Sequence, residues 1–298
     1  MAQIQVREDV LAKLRGKTVI VTGGANGIGK AAVLRLAELG AKIVIGDLDA
    51  KSGESVLQTL GGAAVFQQTD VTRWESLQSL FDLARRKYGD IDAVFANAGL
   101  PEREPFLYED KLDANGDLME PDFRVIDVNL NGVLRTAKLA LHHFAKNKSP
   151  GGVLVITGSA ASYFPSAPII RYGAAKHALL GFMRATAAMS SPRNVRVNVV
   201  APWMTETDFS SEVTEIWGDL PKNTVKEVAD ALCVAAADET LHGRCLYVAK
   251  EIVDFELPLH ETRESWMSPK QARWFEQGRR KLAEGMGLPG THYLEGKH

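Results

Sequence analysis

Cysteine is almost missing from this chain. Cys233 and Cys245 are the only two among 298 residues, too few for a disulfide framework and not spaced as a CxxC pair, so a reducing intracellular compartment is expected. The seven histidines are scattered. His142 and His143 are adjacent and lack the spacing of two ligands on one helix face, so no metal is expected. Neither sign of charge is in excess: 35 Lys and Arg against 37 Asp and Glu leave a formal charge of -2. Nothing there draws the chain to nucleic acid or to an anionic membrane. Long apolar runs are missing too. None approaches the ~18 residues of a membrane span, and the first turns hold Arg7, Glu8, Asp9, Lys13 and Arg15 where a secretory leader would be apolar. The chain reads as soluble and cytoplasmic, without internal repeats or a low-complexity linker.

What it has is material for a core. Apolar residues at 45% and charged residues at 24% exclude disorder, and this length holds one large α/β domain or two modest ones without staples. Strand and helix patterns then alternate. A β-branched run at 17–22 meets Gly23-Gly24-Ala25-Asn26-Gly27-Ile28-Gly29, helical spacing follows over 30–39, and a second strand at 41–46 ends at Asp47. Further strands are expected at 64–67, 92–96, 152–157, 195–200 and 244–248, with helices at 75–88, 123–144, about 172–189 and 225–237. This alternation predicts a single α/β domain over 1–257, a doubly wound Rossmann-type parallel sheet with helices on both faces. Residues 258–298 form an extension too short for its own core. An amphipathic helix from Pro269 to Glu284, capped by Ser268, is expected there, docked on the main domain or on a partner subunit.

Chemistry gathers where the strands end. The glycine loop lets backbone turn tightly and approach a ligand, and its amides with the next helix amino terminus favour a pyrophosphate. Asp47, 18 residues beyond Gly29, can bind adenosine ribose hydroxyls and would repel a 2′-phosphate. Neither Asn26 nor Leu48 offers such a phosphate a cation, so NAD is expected over NADP. Asp70 and Asn97 fall on the ligand edge of the sheet, as binding groups or as plain turn and cap residues. The polar stretch 100–121 reads as a loop, surface or cleft wall. Asn129 interrupts the apolar face of 123–144, and a buried amide either finds partners or distorts the helix to hold a water.

Tyr172 and Lys176 stand four residues apart and so share a helix face. An ammonium beside a phenol favours the phenolate and lowers its pKa from roughly 10, giving a proton donor and acceptor near neutral pH. Ser159, at a strand end, is placed to hold a substrate oxygen beside that phenol. The turn from Pro202 to Thr207 lies on the same edge. The stretch after it, with Phe209, Val213, Ile216 and Trp217, is either a cover over an apolar ligand or an ordinary docked helix.

Taken together and in order, Thr22 to Gly29, Asp47, Asp70-Val71, Asn97-Ala98-Gly99, Asn129, Ser159, Tyr172-Gly173-Ala174-Ala175-Lys176 and the Pro202 to Thr207 turn resemble the short-chain dehydrogenase/reductase family over about 16–253. The resemblance implies that Tyr172 is the acid/base and that Ser159 orients the reacting oxygen. Lys176 would bind the nicotinamide ribose and pass protons toward a water at Asn129. It further implies cofactor contacts from Gly23, Asn26, Gly27, Ile28 and Gly29, from Asp47 and Leu48 at the adenosine ribose, and from Asp70 and Val71 at the adenine. Asn97, Ala98 and Gly99 would line the cofactor, with Pro202, Met204, Thr205 and Thr207 toward the nicotinamide.

Two departures stand out. Pro202-Trp203 replaces the family's proline-glycine pair, and Ala249-Lys250-Glu251 with a tail replaces its closing glycine pair. The tail puts the usual homotetramer in doubt, and a homodimer at least is expected. Tyr163, Phe164, Trp203, Met204, Phe209 and Trp217 argue for a bulky apolar alcohol or ketone as substrate. The expected activity is NAD-dependent oxidation of a terpenoid, steroid or lipid secondary alcohol, reversibly, as in the branch with 15-hydroxyprostaglandin dehydrogenase and fungal natural-product dehydrogenases. The alternatives are a cofactor-bound isomerase and a non-catalytic NAD(H) sensor; retention of Asn129, Ser159, Tyr172 and Lys176 argues against the sensor.

Overall fold

Within each central strand, neighbouring residues enter different cores. Val19, Val21, Ile43, Ile45, Val153 and Val155 serve one face of the sheet, and Ile20, Val44, Leu154 and Ile156 the other. That is the two-residue period of strands buried on both sides. The computed structural model describes residues 3–104, 106–107, 110–165, 169–190, 193–210, 216–256 and scattered positions between 268 and 281.

The strands are β1 (Gln3–Ile4), β2 (Thr18–Thr22), β3 (Lys42–Asp47), β4 (Ala64–Gln68), β5 (Ala93–Ala96), β6 (Gly152–Thr157), β7 (Val195–Pro202), β8 (Cys245–Ala249) and β9 (Glu251–Asp254). They make one sheet in the order β1-β9-β8-β7-β6-β5-β2-β3-β4. Strands β2 to β8 pair in parallel. The helices are α1 (Glu8–Leu11), α2 (Gly27–Glu38), α3 (Ala50–Thr59), α4 (Trp74–Tyr88), α5 (Arg124–Ile126), α6 (Val133–Phe144), α7 (Ile170–Ser190) and α8 (Val225–Ala237). Helices α2 and α8 bring Val33, Leu36, Val228 and Leu232 to one core; α4, α6 and α7 bring Leu80, Phe81, Phe144, Leu179 and Met183 to the other. The doubly wound α/β architecture is the expected one.

The sheet is not parallel throughout. Strand β9 returns antiparallel to β8, and β1 pairs antiparallel with β9. Sequence patterning ends the sheet at Val248 because the hairpin turns at Lys250, with φ +61, where Gly or Asn is the usual signal. A distant side chain supports that turn: Lys250 N donates to Asn223 Oδ1 at 2.8 Å, and Asn223 Nδ2 donates to the Val248 carbonyl at 2.7 Å. Strand β1, with two residues, is too short to show a period. The helix expected at 123–144 is distorted where Asn129 interrupts its apolar face: a π-helical segment, Asp127–Gly132, lies between α5 and α6.

Of the expected C-terminal helix, the described positions 269–271, 273, 274, 277, 278 and 281 are helical. Ser268 and Gln271 exchange capping hydrogen bonds at 3.1 and 3.2 Å. The remainder of that tail, and Val213, lie outside the described residues. Among the described residues no helix is long and apolar enough to cross a membrane.

One topological feature positions the site. The chain builds outward from β2 through β3 to β4, then crosses to β5 on the other side of β2. At that reversal the connections leave on opposite faces and open a crevice beyond the carboxyl ends of the strands.

Candidate active site

Asn97 joins three strand ends. Its Nδ2 donates to the carbonyls of Thr22 and Gly23 at 3.1 Å each, its backbone N donates to Thr22 Oγ1 at 3.1 Å, and its Oδ1 accepts from Thr157 Oγ1 at 3.0 Å. The carboxyl ends of β2, β5 and β6 are thus clamped by one amide. Gly23 (φ +66) passes so close to β5 that a Cβ there would lie 2.8 Å from Ala98 Cα. Asp47, at the end of β3, accepts from Ala25 N at 2.9 Å and holds the glycine loop against the sheet edge. Asn26 precedes α2 without making a side-chain cap. The first amides of that helix therefore have no side-chain cap from it, an arrangement suited to a phosphate.

A cleft of about 580 Å³ runs along this edge. Gly23, Asn26, Gly27, Ile28, Gly29, Asp47, Leu48, Asp70, Val71, Asn97, Ala98 and Gly99 line it, as do Ser159, Tyr172, Lys176, Pro202, Met204, Thr205 and Thr207. The dimensions and the glycine cradle fit a dinucleotide. Asp70 is also a turn residue, since its Oδ1 accepts from Thr72 N at 2.9 Å and from Thr72 Oγ1 at 2.7 Å.

Asn129 is placed differently. It is fully buried outside the cleft lining, where its amide donates to the Leu100 carbonyl and accepts from Leu100 N, both at 2.8 Å. The buried amide finds its partners in backbone 29 residues away.

At the chemical end, Ser159 opens a 3₁₀ turn, Ala160–Ser162, and its Oγ accepts from Ala161 N at 3.1 Å. Tyr172 lies in the first turn of α7 and Lys176 one turn further. The Lys176 ammonium is buried, donates to the Thr157 carbonyl at 2.8 Å, and lies 5.5 Å from the centre of the Tyr172 ring. Sequence spacing predicts that this neighbour depresses the tyrosine pKa. The structure shows the reverse: burial raises Tyr172 above the ordinary phenol value, and a hydrogen bond with Ser159 offsets this only in part. The same desolvation pulls Lys176 down to about 8. Removal from water disfavours phenolate and ammonium alike, and the lysine is directed at a carbonyl.

Part of the cleft wall is aromatic. Trp203 and Trp217 meet edge to face at 5.4 Å, and Phe209 lies 6.1 Å from the Tyr172 ring. Met204 lines the cleft with them. Tyr163 and Phe164, expected in the same wall, are not in the lining. The turn after Ser159 carries them to the β8–β9 edge, where the Tyr163 hydroxyl donates to Glu256 and both rings pack against Phe255. Sequence reasoning missed Thr157 and Glu102. Thr157 acts on Lys176 through its backbone carbonyl, which has no sequence signature, and Glu102 sits in a loop without periodicity.

The sequence matches the family model described as short chain dehydrogenase over residues 17–216. A short-chain dehydrogenase/reductase of Acremonium egyptiacum, ascJ, is 35% identical over 254 residues, 84% of each chain. The 5'-hydroxyaverantin dehydrogenase of Dothistroma septosporum is 31% identical over 81% of this chain and 87% of its own. Three further relatives are spanned over only 60%, 60% and 64% of their length. Among solved structures, 3-ketoacyl-(acyl-carrier-protein) reductase from Brucella melitensis complexed with NADH superposes with a TM-score of 0.71 at 26% identity, over 79% of this chain and 97% of that one. Because the matched segment runs from β2 through the helix that carries Tyr172 and Lys176, the chain belongs to the short-chain dehydrogenase/reductase family of oxidoreductases.

Proposed function

We propose that this enzyme oxidises a secondary alcohol of a bulky apolar compound to a ketone, reversibly, with NAD as its cofactor. The observation that carries this reading is that Ser159, Tyr172 and Lys176 line the same dinucleotide-sized cleft, with the Lys176 ammonium 5.5 Å from the centre of the Tyr172 ring. The aromatic wall supports an apolar substrate, and the hydroxyaverantin dehydrogenase is a relative whose name denotes alcohol oxidation. The glycine loop and the uncapped α2 amides would hold a pyrophosphate, Asp47 a ribose, and Lys176 with the 202–207 turn the nicotinamide end. When bound, that group supplies the two-electron acceptor for hydrogen leaving the carbinol carbon.

The protein's own part is the proton. Ser159 holds the substrate oxygen, and Tyr172 Oη removes the hydroxyl proton in oxidation or returns it in reduction. Since burial raises the Tyr172 pKa, the phenol is protonated at neutral pH in the free protein. The small base fraction grows as pH rises while the phenol form stays dominant, so alcohol oxidation is expected to accelerate from pH 7 to 9 while ketone reduction stays nearly level. Initial rates in both directions check this, and a flat profile in both contradicts it.

Absorbance of NADH with a panel of terpenoid and steroid alcohols tests the activity. Net NADH growth supports the dehydrogenase; product without NADH, or no product at all, overturns it. Cofactor choice has its own test. Asp47 and the exposed Leu48 line the end of the cleft expected to take the adenosine, so Asp47→Ser with Leu48→Arg removes the repelling carboxylate and adds a cation. The ratio of kcat/KM for NADP over NAD is expected to rise at least about tenfold, the scale of one charge-assisted hydrogen bond at ~1.5–3 kcal/mol.

A further inference from the structure

We infer that Glu102 and Arg171 are positioning residues for the reaction, the first setting the backbone of Tyr172 and the second tethering the 100–104 segment, whose residues 100–102 line the cleft. The pair is buried: the side chains are 2% and 6% exposed, with Arg171 Nε 2.8 Å from Glu102 Oε1. The second carboxylate oxygen of Glu102 accepts from the backbone N of Tyr172 at 2.8 Å. That amide belongs to the first turn of α7, where no intrahelical acceptor exists. A carboxylate there is favoured by the helix dipole. Glu102 is therefore a cap supplied from a distant loop, and it holds the residue whose hydroxyl performs the proton transfer.

Arg171 uses its remaining donors on the loop. Its Nη1 reaches the Asp122 carbonyl at 2.6 Å and its Nη2 the Glu104 carbonyl at 2.7 Å, with the guanidinium 5.4 Å from the Phe106 ring centre. Leu100, at the other end of the segment, is gripped by Asn129. Leu100 and Pro101 face both the main cleft and a second cavity of about 450 Å³ that Arg171 also lines. The wall is thus bordered by space on two sides, and its place is set by these polar ties. Burying two charges is a poor source of stability, because desolvation offsets their attraction; what the pair provides is geometry. Misplacement by about 1 Å of a reacting group can cost on the order of 10²-fold in rate.

This inference rests on the alcohol dehydrogenase reading, and the test separates the two. Glu102→Ala is expected to lower kcat at least about tenfold with NADH Kd within about twofold. Glu102→Gln keeps an oxygen for the Tyr172 amide and is expected to recover most of that loss. The double variant Glu102→Gln with Arg171→Met buries no unpaired charge and folds even if the alanine variant does not; it is expected to raise KM about tenfold while kcat stays near that of Glu102→Gln. Hydrogen exchange supplies a readout independent of turnover: the Tyr172 amide exchanges at least about tenfold faster in Glu102→Ala but not in Glu102→Gln, and 104 and its neighbours faster in the double variant. Wild-type kcat in Glu102→Ala, equal impairment of Ala and Gln variants, or an unchanged KM in the double variant overturns the positioning roles. If no alcohol is turned over by the wild type, the proposed function fails, and unchanged exchange at Tyr172 and 104 still overturns the contacts as restraints.

Discussion

Tyr172→Phe is expected to reduce kcat for alcohol oxidation by about 10²- to 10⁴-fold, the usual contribution of a positioned acid/base, while NADH Kd stays within about twofold. The substitution removes one oxygen and keeps the ring, so the contact with Phe209 at 6.1 Å and the cation above the ring at 5.5 Å persist. Ser159 still accepts from Ala161 N and keeps its place. Because the phenol is already neutral in the free protein, no buried charge is lost, and the melting temperature is expected to change little. Initial-rate kinetics and a fluorescence titration of NADH measure the two effects separately. A variant with more than a tenth of wild-type kcat would remove Tyr172 from the mechanism.

Gly29→Ala is expected to weaken dinucleotide binding by about ten- to a hundredfold and to lower the melting temperature. A methyl group at Gly29 would run into the Gly23 carbonyl oxygen and come within 2.6 Å of Asn97 Nδ2. These two atoms are hydrogen-bonded to each other. Relief therefore has to come from backbone, by prising the glycine loop from the clamp that joins β2, β5 and β6. Overpacking of this kind costs about 1–3 kcal/mol, and each 1.4 kcal/mol diverted from binding is about tenfold in Kd. Gly181→Ala is the control, since Gly181 lies within α7 with nothing inside 4 Å, and a helical Gly replaced by Ala gains up to ~1 kcal/mol. Calorimetry and NADH titration of both variants check the pair. Equal behaviour would contradict the close approach at Gly29.

The central strands and the glycine loop are legible in the chain because their causes are local. A run such as Val153-Leu154-Val155-Ile156 is buried on both faces, and no other element uses so short an unbroken apolar stretch between turn signals. The Tyr172 and Lys176 spacing is likewise a property of one helix turn. Strand β9 is invisible locally because its hairpin turns on a lysine held by Asn223, and the Arg171–Glu102 pair joins residues 69 apart.

Sequence alone therefore determined the doubly wound architecture, the glycine loop and the Tyr172 and Lys176 pair, which depend on periodicity or spacing within a few turns of chain, while the remaining candidate groups along the cleft came from the resemblance of its motifs to the family. Tertiary structure decided what those groups experience. It set the direction of the Tyr172 shift, turned Asn129 toward the Leu100 backbone, removed Tyr163 and Phe164 from the wall and brought Glu102 to the catalytic helix. Desolvation and pairing depend on which distant segments meet, and that is fixed only when the sheet closes the space around them.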